Sequence, residues 1–385
     1  MDLSYILNHL GEGREDYFNA VAPPVMQTSN FAFSTVEAMR RGLREEFSYP
    51  AYTRGVNPTV EMLREKMAAL EGAEDALVFA SGSGAIASAI MSNVNSGDHI
   101  VSVRDPYTWT NTLFSKLLPG FGVETTFVDG RNAVNFERAI RPNTRLLYLE
   151  SPNSFTFELQ DLRAVSEIAK GNGVLTMIDN SYSSPLYQQP LKLGIDLSIH
   201  SATKYIGGHS DTVGGIVCGS RKMMRQIFDS GYMTLGGVAA PFNAWLLLRG
   251  LRTLELRMKR SSDSAAKVIQ FLERERAVEK IYYPLHEGNP QFELARRQMI
   301  KAGGLFTAAI RAGSIKEVEG FCNRLKRFLL AVSWGGHESL IMPRCLEMAP
   351  DSKEDGYNLV RFYIGLEDPE VLIEDLRQAL NNVRP

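Results

Sequence analysis

From about residue 61 onward, short apolar runs alternate with stretches of helical period. EMLREKMAALEGA (61–73) repeats its apolar positions at helical spacing and predicts a helix. ALVFA (76–80) then reads as a strand and GAIASAIMSNV (84–94) as a helix. HIVSV (99–103), VETTFVD (123–129), RLLYLE (145–150), VLTMID (174–179) and LSIH (197–200) are further short apolar runs, with a helix expected near 161–171. Strands alternating with helices predict a mostly parallel sheet covered on both faces. GGIVCG (214–219) adds a further strand, read as antiparallel, and a long helical stretch is expected over 240–260.

Outside that region the pattern differs. Residues 1–60 show little periodicity and carry Pro23, Pro24, Pro50 and Pro58, which reads as an extended arm. After Ser261, strands near IYYP, LFTAAIR and LVRFYIG mix with helices, as in a smaller α+β unit. The expected division is an arm over 1–60, an α/β domain over 61–255 and an α+β domain over 256–385.

Chemistry enters at the strand ends, because ligands of open α/β sheets bind beyond the carboxyl ends of the strands. Lys204 follows LSIH and the hydroxyls of Ser201 and Thr203. A crowded, desolvated lysine is suited to a Schiff base with a phosphorylated aldehyde, and the hydroxyls can donate to its phosphate. Alone, Lys204 reads equally well as a solvated lysine after a strand. Asp179, 25 residues earlier, closes the run VLTMID. A carboxylate there needs a cationic partner, and a protonated pyridine nitrogen is one. Together, Lys204 and Asp179 fit pyridoxal 5'-phosphate, an electron sink that works best with its ring nitrogen protonated. The Ser81-Gly82-Ser83-Gly84 turn opens a helix after ALVFA and presents free N–H groups to an anion. It is not GxGxxG, so dinucleotide binding is not read from it.

Six segments taken together resemble the Cys/Met-metabolism family of pyridoxal phosphate enzymes, which includes cystathionine synthases and lyases and methionine γ-lyase. They are YTRGVNPT (52–59), ASGSGA (80–85), IDNSYSSP (178–185), SATKYIGGHSD (201–211), SWGGHESL (333–340) and VRFYIGLED (360–368). The resemblance implies the aminotransferase-like (type I) α/β fold. It implies that Gly82, Ser83, Ser201 and Thr203 hold the phosphate, with Tyr52 and Arg54 arriving from a neighbouring subunit, so at least a homodimer is expected and a homotetramer is anticipated. Tyr107 would stack on the cofactor ring and take a proton, Asp179 would meet the ring nitrogen, and Lys204 would be the covalent anchor and base. Arg361, with Ser333 and Trp334, would hold the substrate. Where family members often carry a bulkier residue, this chain has Ser83. Thr108-Trp109 follow Tyr107 in place of two small residues.

Within the family the chain reads as a β-eliminating carbon–sulfur lyase acting on cystathionine or a related cysteine S-conjugate. Ser154, Val332 and Trp334 depart from the γ-acting pattern, whereas YTRGVNPT matches it. The alternative is a γ-acting relative: methionine γ-lyase, cystathionine γ-lyase or cystathionine γ-synthase. A remote alternative is a non-catalytic member of the fold or a nucleotide-binding regulator. His337 and Trp109 are candidate marks of a specialised substrate.

Composition narrows this little further. A net charge of −2 gives no nucleic-acid footprint. No apolar run is long enough to span a bilayer and no secretory segment is evident, so a soluble cytoplasmic protein is expected. Cys218, Cys322 and Cys345 are too few and too scattered for a disulfide framework, and Cys218 reads as a buried inert thiol. The six histidines lack ligand spacing, so no metal is expected.

Overall fold

The computed structural model describes residues 1–349, 352 and 354–381. Its first sheet has seven strands: β1 (Asp75–Phe79), β2 (His99–Val103), β3 (Glu124–Val128), β4 (Thr144–Glu150), β5 (Leu175–Asp179), β6 (Leu197–Ser201) and β7 (Gly215–Gly219). They lie in the order β1-β7-β6-β5-β4-β2-β3. Only β7 runs against the rest, pairing antiparallel with both β1 and β6. GGIVCG is thus antiparallel, as read from the sequence. Leu146, Leu147, Tyr148 and Leu149 of β4 are fully buried, as a central parallel strand covered on both faces requires.

The second sheet is mostly antiparallel. It contains β8 (Val278–Tyr282), β9 (Leu305–Ile310), β10 (Leu329–Leu330), β11 (Leu340–Pro343) and β12 (Leu359–Tyr363), in the order β10-β11-β12-β9-β8. Neither β10 nor β11 was expected from the pattern. The first has two residues, and the second ends on Pro343. Both are too short for alternation to register.

The helix Pro58–Glu71 covers one face of the first sheet. Asn57 caps it by accepting the Thr59 N–H at 3.0 Å, Pro58 takes the first position, and Gly72 ends it in the left-handed conformation. The stretch expected as one helix over 240–260 is two, Pro241–Leu251 and Leu254–Leu272, broken at Arg252-Thr253.

The first 60 residues are not extended throughout. Helices form at Leu3–Asn8 and Val36–Arg44. Ile6 and Leu7 are buried in the main core. Glu12, itself buried, binds Lys66 and Arg252 at 3.2 Å each. A buried carboxylate beside a fully buried ammonium is tolerable only as such a pair, and it ties the N-terminal segment to its own chain. Tyr52 and Arg54 remain exposed. All three cysteines are buried and free, and burial pushes the Cys218 thiol well up.

Candidate active site

Asp179 ends β5 and Ser201 ends β6, one strand over, at the same rim of the sheet. The Ser181 hydroxyl accepts the Ser201 N–H at 2.6 Å, and the Ser181 N–H donates to Asp179 Oδ1 at 2.9 Å. Ser181 therefore ties the two strand ends together. Burial raises the Asp179 pKa, and the Ser181 hydrogen bonds together with His200 and Lys204 pull it back. A carboxylate so placed favours a cation in front of it.

The helix Gly82–Met91 starts beside Ser201. Ser81 caps it, accepting the Gly84 N–H at 3.0 Å. A Cβ on Gly82 would lie 2.9 Å from the Ser201 Cβ, so only glycine brings this helix end against β6. Thr203 sits next to it, its hydroxyl accepting the Gly214 N–H at 3.1 Å. Free N–H groups, the helix dipole and the Ser201 hydroxyl thus meet at one spot, a cradle that suits a phosphate, with Thr203 two residues on.

Lys204 points across the rim. Its Nζ donates to Ser333 Oγ at 2.5 Å and lies 5.5 Å from the Trp334 ring centre. Desolvation and then Arg361 lower its pKa to about 8, against a smaller opposing pull from Asp179. At pH 7.5 roughly a quarter of such a group is the free amine, against about a thousandth for an ordinary lysine. Between pH about 8 and 10.5 the folded chain binds less of this proton than the unfolded chain. Burial of the ammonium therefore costs stability below about pH 8, and that cost fades as pH rises to 10.5.

Ser333 adopts a left-handed backbone, φ 78°, unusual for serine. At Gly335, φ 92°, a Cβ would come within 2.7 Å of the Lys204 carbonyl carbon. The SWGG turn is thus wedged against the backbone of the reactive lysine. Trp334 is buried and packs on Tyr205 and Tyr182, so it forms the floor behind Lys204.

Arg361 comes from β12 and is 8 % exposed. Its guanidinium donates to the Ser154 carbonyl and to Met342 Sδ at 3.2 Å each, and it lies 5.8 Å from the Phe155 ring centre. Among the described residues no carboxylate pairs with it, and desolvation lowers its pKa to about 10. A buried guanidinium without a counter-ion, beside a desolvated lysine, is a site for an anion.

Tyr107 is 42 % exposed and edges a groove with Ser83, Ile86, Trp109, Thr110 and Leu113. Its N–H donates to Glu150 Oε2 at 2.7 Å. Glu150, at the end of β4, was not singled out in the sequence. It is buried, and burial followed by the neighbouring Asp179 raises its pKa to about 8, while the Tyr107 and Ser154 N–H groups pull the other way. Tyr52 and Arg54 stand apart. The Arg54 guanidinium lies 5.6 Å from the Tyr52 ring centre, and both side chains face solvent. His337 is exposed and sits 3.1 Å from Glu338, and Trp109 is exposed.

An amine of lowered pKa, a strand-end carboxylate, a phosphate cradle and an unpaired arginine are the parts a pyridoxal phosphate site needs; the first three lie at one rim of the first sheet, and the arginine acts on Lys204 from β12 of the second. Comparison with known proteins gives the family. Residues 6–381 match the family described as Cys/Met metabolism PLP-dependent enzyme. The chain is 39 % identical to an L-methionine γ-lyase of Treponema denticola, over 97 % of this chain and 96 % of that one. It is 39 % identical to a cystathionine γ-lyase of Bacillus subtilis, over 98 % and 99 %, and 36 % identical to a cystathionine β-lyase of Lactococcus lactis, over 97 % of each. The crystal structure of metB from Corynebacterium glutamicum superposes with a TM-score of 0.92 at 35 % identity, over 99 % of this chain and 98 % of that one. This chain belongs to the Cys/Met-metabolism family of enzymes that depend on pyridoxal 5'-phosphate.

Proposed function

We propose that this chain is a carbon–sulfur lyase that eliminates a thiol from Cβ of cystathionine or a related cysteine S-conjugate, yielding thiol, pyruvate and ammonia. Gly82, Ser83, Ser201 and Thr203 hold the cofactor phosphate, Tyr107 covers its ring, Asp179 meets its ring nitrogen and Lys204 is its covalent anchor. Bound there, the cofactor supplies an electron sink for negative charge at the substrate Cα. Arg361 takes the substrate α-carboxylate and fixes the Cα–H bond toward Lys204. Lys204 removes that proton; its lowered pKa makes the free amine available near neutral pH.

The preference for the β carbon rests on the Lys204–Ser333–Trp334 contact. Chemistry at Cγ requires the amine to act at Cα, Cβ and Cγ in turn. Here the amine is tethered to Ser333 at 2.5 Å and backed by the Trp334 ring, which restricts that travel. A γ-elimination is the second reading, favoured by the named γ-lyases at 39 % identity. Product analysis on L-cystathionine separates the two. The expected keto acid is pyruvate, accompanied by homocysteine; mainly 2-oxobutyrate with cysteine would establish the γ reading.

Tyr52 and Arg54 act in a neighbouring subunit's site, which explains why they stand exposed here. A guanidinium fork suits a dianionic phosphate. Arg54→Ala alone should retain the cofactor poorly, and Lys204→Ala alone should be inactive. Mixed under conditions that exchange subunits, the two should regain activity, because one site of a mixed dimer pairs intact Arg54 with intact Lys204. No recovery despite demonstrated exchange would place Arg54 in its own chain's site.

A further inference from the structure

Two carboxyl groups stand side by side at this site, and only one of them, Asp179, has a part in the proposed chemistry. Glu150 and Asp179 are register partners at the ends of the parallel strands β4 and β5. Paired residues of adjacent parallel strands project to the same face, so both side chains lie under the same opening. Glu150 is 5 % exposed. One of its oxygens accepts the Tyr107 N–H at 2.7 Å, and Asp179 accepts the Ser181 N–H at 2.9 Å. Two carboxylates paired in register, one of them buried and the other raised in pKa by desolvation, cannot both ionise cheaply.

We propose that Glu150 and Asp179 share one proton in the cofactor-free site, that seating a cationic ring nitrogen against Asp179 releases it, and that Glu150 is the positioning residue that anchors Tyr107 in both states. This rests on the assignment of Asp179 to the ring nitrogen. The surrounding titratable groups are few. Lys204 and Arg361 act on one another electrostatically above the strand ends, His200 is on β6 and meets Glu71, and Tyr148 lies one pleat below Glu150 on β4. Burial raises the Glu150 pKa first, and Asp179 adds to it, to about 8. Glu150 is already dry in the free chain, so a bound ring desolvates it little further. What changes is the charge beside it: an isolated Asp179 carboxylate becomes half of an ion pair. The repulsion is cancelled, and the Glu150 proton leaves. Tyr107 keeps its acceptor throughout, because its N–H is held by a carboxyl oxygen in either protonation state.

The test uses the cofactor-free protein and pyridoxine 5'-phosphate, which has the ring and the phosphate but no aldehyde for Lys204 to capture. Isothermal titration in buffers of different ionisation enthalpy counts the protons released on binding. Wild type is expected to release more than Glu150→Gln by the greater part of one proton per site at pH 7.5. The difference should vanish at pH 10, where Glu150 is already ionised. By linkage, the affinity of wild type relative to Glu150→Gln should rise with pH toward about 8 and then level off. Glu150→Gln keeps an acceptor for the Tyr107 N–H and Glu150→Ala does not, so the alanine variant should bind the analogue more weakly than the glutamine variant. Equal proton counts for wild type and Glu150→Gln at pH 7.5 overturn the shared proton. If Glu150→Gln fails to fold, infrared difference spectra of wild type decide the matter: loss of a protonated-carboxyl band on binding supports the proposal, and its persistence overturns it. Failure of wild type to bind the analogue would instead remove the cofactor assignment itself, and this proposal with it.

Discussion

Lys204→Ala is expected to lose all but a hundredth or less of the wild-type turnover while the fold survives. Lys204 Nζ makes one hydrogen bond, to Ser333, and no ion pair among the described residues. Removing it takes away a desolvated amine and a single hydrogen bond, two opposing effects, and stability should change little. Proton transfer by a positioned side chain alone contributes about 10²–10⁴-fold, and the covalent anchor is lost as well. Turnover of cystathionine or a cysteine S-conjugate and a thermal unfolding curve, taken on the same preparation, are the two measurements. More than a few per cent of the wild-type rate would mean that another group serves as the base. A collapse of stability would mean that Lys204 supports the SWGG turn rather than the chemistry.

Most of what places that lysine was legible in the chain. Parallel strands buried on both faces are written as short apolar runs, and all seven strands of the first sheet lie on runs that could be marked in advance. Lys204, Asp179, Ser201 and the Gly82 turn follow from the rule that sites lie beyond strand ends. Glu150 obeys the same rule. It closes RLLYLE as Asp179 closes VLTMID, but nothing in the linear pattern says that β4 and β5 are neighbours. Only the sheet order turns two strand-end acids into a pair. Ser181 was hidden for a similar reason. Its part is to accept an N–H from the next strand, a role any turn serine could have. The helix Val36–Arg44 was missed among prolines and polar residues. Its Thr35 cap, which accepts the Ala38 N–H at 3.0 Å, was the available signal. Trp334 could be marked as different from the γ pattern, but its place beneath Lys204 depends on the left-handed turn at Ser333 and Gly335, which no periodicity encodes.

Arg361→Ala should lower kcat/KM for amino-acid substrates by roughly 10²–10³-fold, with KM raised and kcat reduced together. The guanidinium is buried, faces no carboxylate among the described residues and meets only a carbonyl, a thioether and the face of Phe155. A substrate carboxylate supplies the missing charge. Two charge-assisted hydrogen bonds in a desolvated pocket are together worth about 3–4 kcal/mol, which is the stated factor. The fall in kcat has a separate origin. The same clamp sets the angle of the Cα–H bond to Lys204, and a misoriented bond loses its proton slowly. Arg361→Lys should recover only part of the loss, because an ammonium keeps the charge but not the planar fork. Arg361→Ala should also lift the Lys204 pKa, since Arg361 is the second cause of its depression. The pH at which the cofactor-free protein captures the aldehyde, read from its visible absorbance, should therefore shift upward in the variant. Rates are measured on matched substrates with and without the α-carboxylate. An equal loss on both would assign Arg361 to the packing of β12 against the Ser154 loop, and an unshifted capture profile would remove it from the neighbourhood of Lys204.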